Sequence, residues 1–147
     1  MDQRVSLITL GVDDLARRAA FYEALGWRRA GTPDEVVAFD CIGMSVALYE
    51  RTKLAADLGV APGALGTGLA TYACNVRTEA EVADVLAAAE AAGGRIAKRA
   101  QATTRGGHHG FFADPDGHLW EIAFNPFSPL REDGAFRWNG HGAPDAG

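Results

Sequence analysis

Twice in this chain an alternating segment leads into a helical stripe and then into three short apolar runs. That order constrains the fold more tightly than any single motif. In the first pass, "VSLITLGV" sets Val5, Leu7 and Thr9 against Ile8, Leu10 and Val12, the period of a strand. "DDLARRAAFYEALG" follows as a helix, with Asp13 as the expected N-cap, Leu15, Ala19, Tyr22 and Leu25 on one stripe, and Gly26 as the stop. "WRRAG", "EVVAFD" and "MSVALYE" then read as strands divided by turn-forming residues. The second pass opens with "LATYACNV", a strand from Leu69. It continues through a helix begun by a Thr78 to Glu81 capping box and ended at Gly93 and Gly94. "RIAKRA", "GFFAD" and "HLWEIAF" complete it.

Between the two passes, "RTKLAADLG" reads as a short helix and "VAPGALGTG" as a Gly and Pro connector. The expected organisation is a first unit over residues 1–58, a connector over 59–68, a second unit over 69–127 and a tail over 128–147. The units also overlay in register. Laying "FDCIGMSVALY" on "ADPDGHLWEIA" matches Asp40 with Asp114, Gly43 with Gly117 and Leu48 with Ile122, and puts Ala47 opposite Glu121.

Several partner classes are not expected. A net charge of −5, with scattered Lys and Arg, gives no footprint for nucleic acid. No apolar run reaches the roughly 18 residues that a membrane span requires, and the N-terminus lacks the layout of a secretory signal, so a cytoplasmic protein is expected. Cys41 and Cys74 are far apart in sequence and read as small buried apolar residues.

Two stretches, "ITLGVDDLARRAAFYEALGW" at 8–27 and "GFFADPDGHLWEIAFNP" at 110–126, resemble the vicinal oxygen chelate superfamily of glyoxalases, bleomycin-resistance proteins and dioxygenases. The likeness runs over about residues 4–127. It implies an α+β fold in which paired βαβββ modules curl into an incomplete eight-stranded barrel around a cavity, with helices outside. It also implies that Leu7, Thr9, Ala47, Tyr49, Thr71, Ala73, Asn75, Leu119, Glu121 and Ala123 face that cavity, while Ile8, Leu10, Tyr72, Cys74, Trp120 and Ile122 turn toward the helices.

Metal-dependent members carry ligands on four strands, and the resemblance puts those positions at Leu7, Ala47, Thr71 and Glu121. Only Glu121 is a metal ligand by residue type. A lone carboxylate with at best a weak hydroxyl from Thr71 does not hold a transition metal against water. No cofactor is therefore expected, and a divalent metal finds no support at these positions.

Glu121 stands in an otherwise apolar strand, and an ionised carboxylate there needs a partner. Of the adjacent His108 and His109, alternation sends at most one into the cavity. A polar rim or loop role is the first expectation for both; His109 is the one placed at the cavity, and a ring that faces Glu121 would pair with it as acid and base. His118 and His141 read as solvated surface, and "DPDG" as a tight turn. Phe136 and Trp138 in the tail are rings that could pack on the barrel or on a second subunit.

Two functions fit these residues. One is a metal-free binding protein of the bleomycin-resistance type, a homodimer that sequesters a small molecule against Glu121 with Tyr49 stacking on it. The other is a lyase or isomerase with Glu121 as general base, or with a metal held by a different ligand set. Glyoxalase activity itself is not expected.

Overall fold

The computed structural model describes residues 3, 5–31, 34–68 and 70–138. Leu69, the expected start of the second unit's first strand, and His141 lie outside them. The elements follow the order β1 (Leu7–Val12), α1 (Leu15–Ala24), β2 (Val36–Cys41), β3 (Met44–Glu50) and α2 (Arg51–Leu58). A 3-10 turn (Pro62–Ala64) leads to β4 (Thr71–Asn75), α3 (Glu79–Ala91), β5 (Arg95–Ala102), β6 (His108–Ala113) and β7 (Leu119–Phe124).

The strands form two sheets, β1-β3-β2 and β4-β7-β6-β5, and the fold is α+β as the sequence implies. One strand of the expected eight is not formed. Residues 27–31 reduce to a single bridge between Arg29 and Phe39, because Trp27 turns inward onto Tyr22 and Phe39 rather than extending along the sheet edge. Each sheet is an open half of an incomplete barrel.

The repeat is real in three dimensions. In each module the last strand lies parallel to the first, β3 on β1 and β7 on β4. Thr9 pairs with Ala47 as Ala73 pairs with Glu121. The turns that feed β3 and β7 both pass through a glycine with positive φ, Gly43 at 80° and Gly117 at 94°, a conformation that would strain a side chain.

Local chemistry explains the helix ends. α1 is capped by Asp14, whose side chain accepts from the Arg17 amide; the N-cap is one residue later than expected because Asp13 pairs instead with Arg51. At α3 both halves of the capping box form, Thr78 accepting from the Glu81 amide and Glu81 from the Thr78 amide.

One core joins the modules. Leu10, Val12, Val46 and Leu48 of the first sheet and Phe112, Trp120 and Ile122 of the second are buried together with Phe21 and Tyr22 of α1. Tyr22 touches Trp27, Phe39 and Trp120, so three elements and a loop meet at one ring. Burial of this kind is the main stabilising term, at about 25 cal/mol per Å² of apolar surface. Since the core uses the even-numbered positions of β1, β3 and β7, the odd-numbered ones point away from it. Cys74 departs from its expected place: it is exposed on β4, an edge strand, while α3 lies over β5, β6 and β7.

Candidate functional site

Glu121 sits on the face of the second sheet turned away from the core. Its row across the sheet is Ala73, Glu121, Phe111 and Lys98; the next is Asn75, Ala123, His109 and Gln101. This face forms one wall of a cavity of about 640 Å³. Residues 103–105 and the tail rings Phe127, Phe136 and Trp138 supply the rest.

Within it His109 Nδ1 lies 3.0 Å from Glu121 Oε1, and Lys98 Nζ lies 3.2 Å from His109 Nε2. An ammonium can only donate, so His109 Nε2 must accept. The proton then resides on Nδ1 and is donated to Glu121, an assignment that rests on hydrogen-bond complementarity. Lys98 is held over the Phe111 ring, 5.8 Å from its centroid. The outcome is a chain Lys98–His109–Glu121 that orients the carboxylate, whose second oxygen makes no hydrogen bond among the described residues.

The other expected cavity residues are divided by the structure. Asn75, His109 and Glu121 line this cavity together. Leu7, Ala47, Tyr49 and Thr71 do not; Leu7 is 53% exposed on β1, Ala47 is 3% exposed and Thr71 faces solvent on β4. The Tyr49 hydroxyl is raised by burial first and then by its bond to Asp57, which ties it to α2 instead. Thr9 lines a second cavity at the module junction. The separation follows from the shared core: both candidate faces point away from it, so they do not meet within one chain.

Sequence reasoning missed two groups. Lys98 was hidden by a bulge in β5 between Ile96 and Lys98: regular alternation would leave it on the same face as Ile96, and the bulge turns it to the Glu121 face instead. His118, read as surface, is 9% exposed. The "DPDGH" turn folds back so that Asp114 Oδ1 accepts the amides of Asp116 and His118, which carries the His118 ring onto the same carboxylate. His108 also borders the Glu121 cavity, at the start of β6 beside the Thr103 turn, so both histidines reach it.

A metal does not fit these residues. Within one chain Leu7 and Ala47 lie on a face that does not meet the face of Thr71 and Glu121, and only Glu121 among the four carries a strong ligand. His109 and Glu121 supply two donors, and the Lys98 ammonium occupies the approach to the free ring nitrogen, where it would repel a cation. Among the described residues no group of three or more His, Cys, Asp and Glu is arranged to hold an ion.

The sequence matches the Glyoxalase/Bleomycin resistance protein/Dioxygenase superfamily over residues 4–122. The chain belongs to this superfamily. Its fold is similar to that of a glyoxalase-related enzyme from Fulvimarina pelagi, with 40% identity, a TM-score of 0.86 and coverage of 94% of this chain and 99% of that one. A member from Burkholderia phytofirmans PsJN shares the fold alone, with 17% identity, a TM-score of 0.74 and coverage of 82% and 98%. No curated protein matches the chain. Among the described residues, no helix of this superfamily member is long and apolar enough to cross a membrane.

Proposed function

We propose that this superfamily member binds a small molecule in the cavity over β4–β7, without a metal centre, in the manner of a bleomycin-resistance protein. The observation that carries the reading is a carboxylate fixed on one side by His109 and open on the other, in a cavity rimmed by aromatic rings. Such a carboxylate anchors a hydrogen-bond donor of the ligand, and Phe127, Phe136 and Trp138 offer faces for a planar part. Lys98 and Arg105 nearby weigh against a strongly cationic ligand.

The same reading includes a cytoplasmic homodimer in which a second copy covers the site. Its support is the open first sheet, where Leu7 is 53% exposed, together with a cavity walled by the second module and tail alone. Light scattering behind size exclusion should give twice the chain mass, and a monomer would remove this part of the reading.

The binding reading is tested by a thermal-shift screen of planar small molecules on the wild type and on Glu121→Gln. A hydrogen bond to a charged group contributes about 1.5–3 kcal/mol, so hits should weaken roughly ten- to hundredfold in the variant. Hits that bind both proteins equally would overturn it. The His109–Glu121 bond also supports a second reading, a lyase or isomerase with Glu121 as general base. Mass spectrometry of ligand recovered after incubation separates the two, since a binder returns it unchanged.

A further inference from the structure

A second cavity, of about 460 Å³, lies where the two modules meet. It shares no lining residue with the Glu121 cavity. α2 contributes Leu54 and Leu58 to its wall, the connector Leu65, and the turn before β7 His118.

His118 is 9% exposed and is held by a buried chain of hydrogen bonds. The Trp120 indole donates to the Tyr22 hydroxyl at 3.3 Å, that hydroxyl donates to Asp114 at 2.6 Å, and His118 Nδ1 lies 2.9 Å from the same carboxylate. Burial alone would raise the Asp114 carboxyl, but the hydrogen bonds from His118 and Tyr22 outweigh it and hold it below the usual range. Asp114 is therefore an acceptor, and Nδ1 of His118 carries the proton it receives. The ring's other nitrogen, Nε2, makes no hydrogen bond among the described residues, although the ring lines the cavity. An oriented imidazole with one nitrogen committed to a carboxylate presents the other to whatever enters.

The surroundings select the visitor. Arg51 lines the cavity, and its buried Nε makes no hydrogen bond even though Asp13 Oδ1 stands 2.8 Å away in an ion pair. Arg18 pairs with Asp116, whose other oxygen lies 3.7 Å from Arg51. Two carboxylates, Asp13 and Asp116, thus face two guanidiniums, and among the described residues lining the cavity no unpaired cation remains for an anionic head group. The rest of the wall is mostly apolar, four leucines, the Tyr72 ring and two glycines, with Thr9 and Thr67 as its remaining polar side chains. We infer that this cavity is a ligand site for a small neutral aliphatic molecule bearing a hydroxyl, which donates to His118 Nε2, accepts from Arg51 and lays its chain on Leu54, Leu58 and Leu65.

The test is an NMR titration of 13C-labelled protein with 1-hexanol, followed at the His118 ring carbons, with hexanoate and hexylamine as charged probes of equal chain length. Hexanol is expected to give saturable shifts and to bind more tightly than either charged probe. Leu65→Trp, which fills the cavity from the connector without touching the Tyr22–Asp114–His118 chain, should abolish them, and Leu58→Trp at a 60% exposed position gives a second variant of the same kind. Glu121→Gln should leave hexanol binding unchanged, which keeps this site distinct from the one proposed above. Shifts that fail to saturate, a charged probe binding as tightly, or binding that survives both tryptophan variants would overturn the inference.

Discussion

His109 and Glu121 meet across β6 and β7 on a diagonal, since His109 pairs directly with Ala123 and Glu121 with Phe111. Their 3.0 Å bond places Nδ1 of the ring against Oε1, and Lys98 takes the other ring nitrogen. The histidine is thereby committed to one tautomer. Long-range 1H–15N correlation spectra should show His109 protonated on Nδ1 with a lone pair on Nε2. In Lys98→Met that preference should weaken, because only the Glu121 carboxylate then favours the lone pair at Nε2. An unchanged spectrum in the variant would mean that Glu121 alone sets the tautomer.

Asp114 carries the second prediction. It is 3% exposed and accepts hydrogen bonds from Tyr22, from His118 and from two backbone amides. Asp114→Asn places an amide NH₂ against these donors and should lower stability by about 2–3 kcal/mol in urea titration at neutral pH. The sign of the pH dependence follows from the direction of the shift. A carboxyl held below its unfolded value, which is about 3.9, contributes stability that is complete above that pH and is lost as pH falls through the folded value. The gap between wild type and variant should therefore be flat down to about pH 4 and narrow below it. Tyr22 moves the opposite way: burial first, and then the neighbouring Asp114 charge, push its hydroxyl far above the ordinary range, so it stays protonated.

How much of this was legible in the sequence depends on the range of the interaction. The strand and helix order apart from the strand expected at residues 27–31, the Thr78 capping box and the equivalence of Ala47 with Glu121 are local patterns, and the structure reproduces them. The pairing of His109 with Glu121 follows from alternation on two neighbouring strands. What alternation does not specify is how the two sheets sit relative to each other. That is decided by the aromatic cluster at Tyr22, which packs the core-facing sides together and sends Leu7 and Ala47 away from Glu121. Lys98 was lost to a bulge that shifts parity by one residue, and His118 to a turn whose closure depends on buried hydrogen bonds to Asp114.

Gly110 stands between the site and the helix that supports it. A Cβ there would lie 2.4 Å from Leu86 Cδ1 on α3 and 3.0 Å from backbone atoms of Lys98 and Ala100 on β5. The leucine end could swing aside, but the β5 backbone could not without carrying Lys98 with it. Gly110→Ala should be destabilised by about 1–3 kcal/mol and should disturb the His109 resonances next to it. Gly63→Ala, where a Cβ meets nothing within 4 Å, is the control and should stay within about 0.5 kcal/mol of wild type.

The tail reaches the Glu121 cavity because Arg77, at the end of the β4 segment, donates to the Arg131 and Glu132 carbonyls at 2.8 and 2.9 Å. Ser128, buried, donates to the Trp138 carbonyl, and the Phe136 and Trp138 rings pack edge to face at the rim. Arg77 is itself exposed and belongs to no apolar cluster, so Arg77→Met should leave the urea midpoint nearly unchanged. It should instead free the strap. Limited trypsin digestion should cut after Arg131 several times faster in the variant than in the wild type, and the fluorescence of Trp138, 76% exposed already, should become more quenchable by iodide. Equal cleavage rates would show that Ser128 and the aromatic pair hold the strap without Arg77, and Ser128→Ala would then be the variant that releases it.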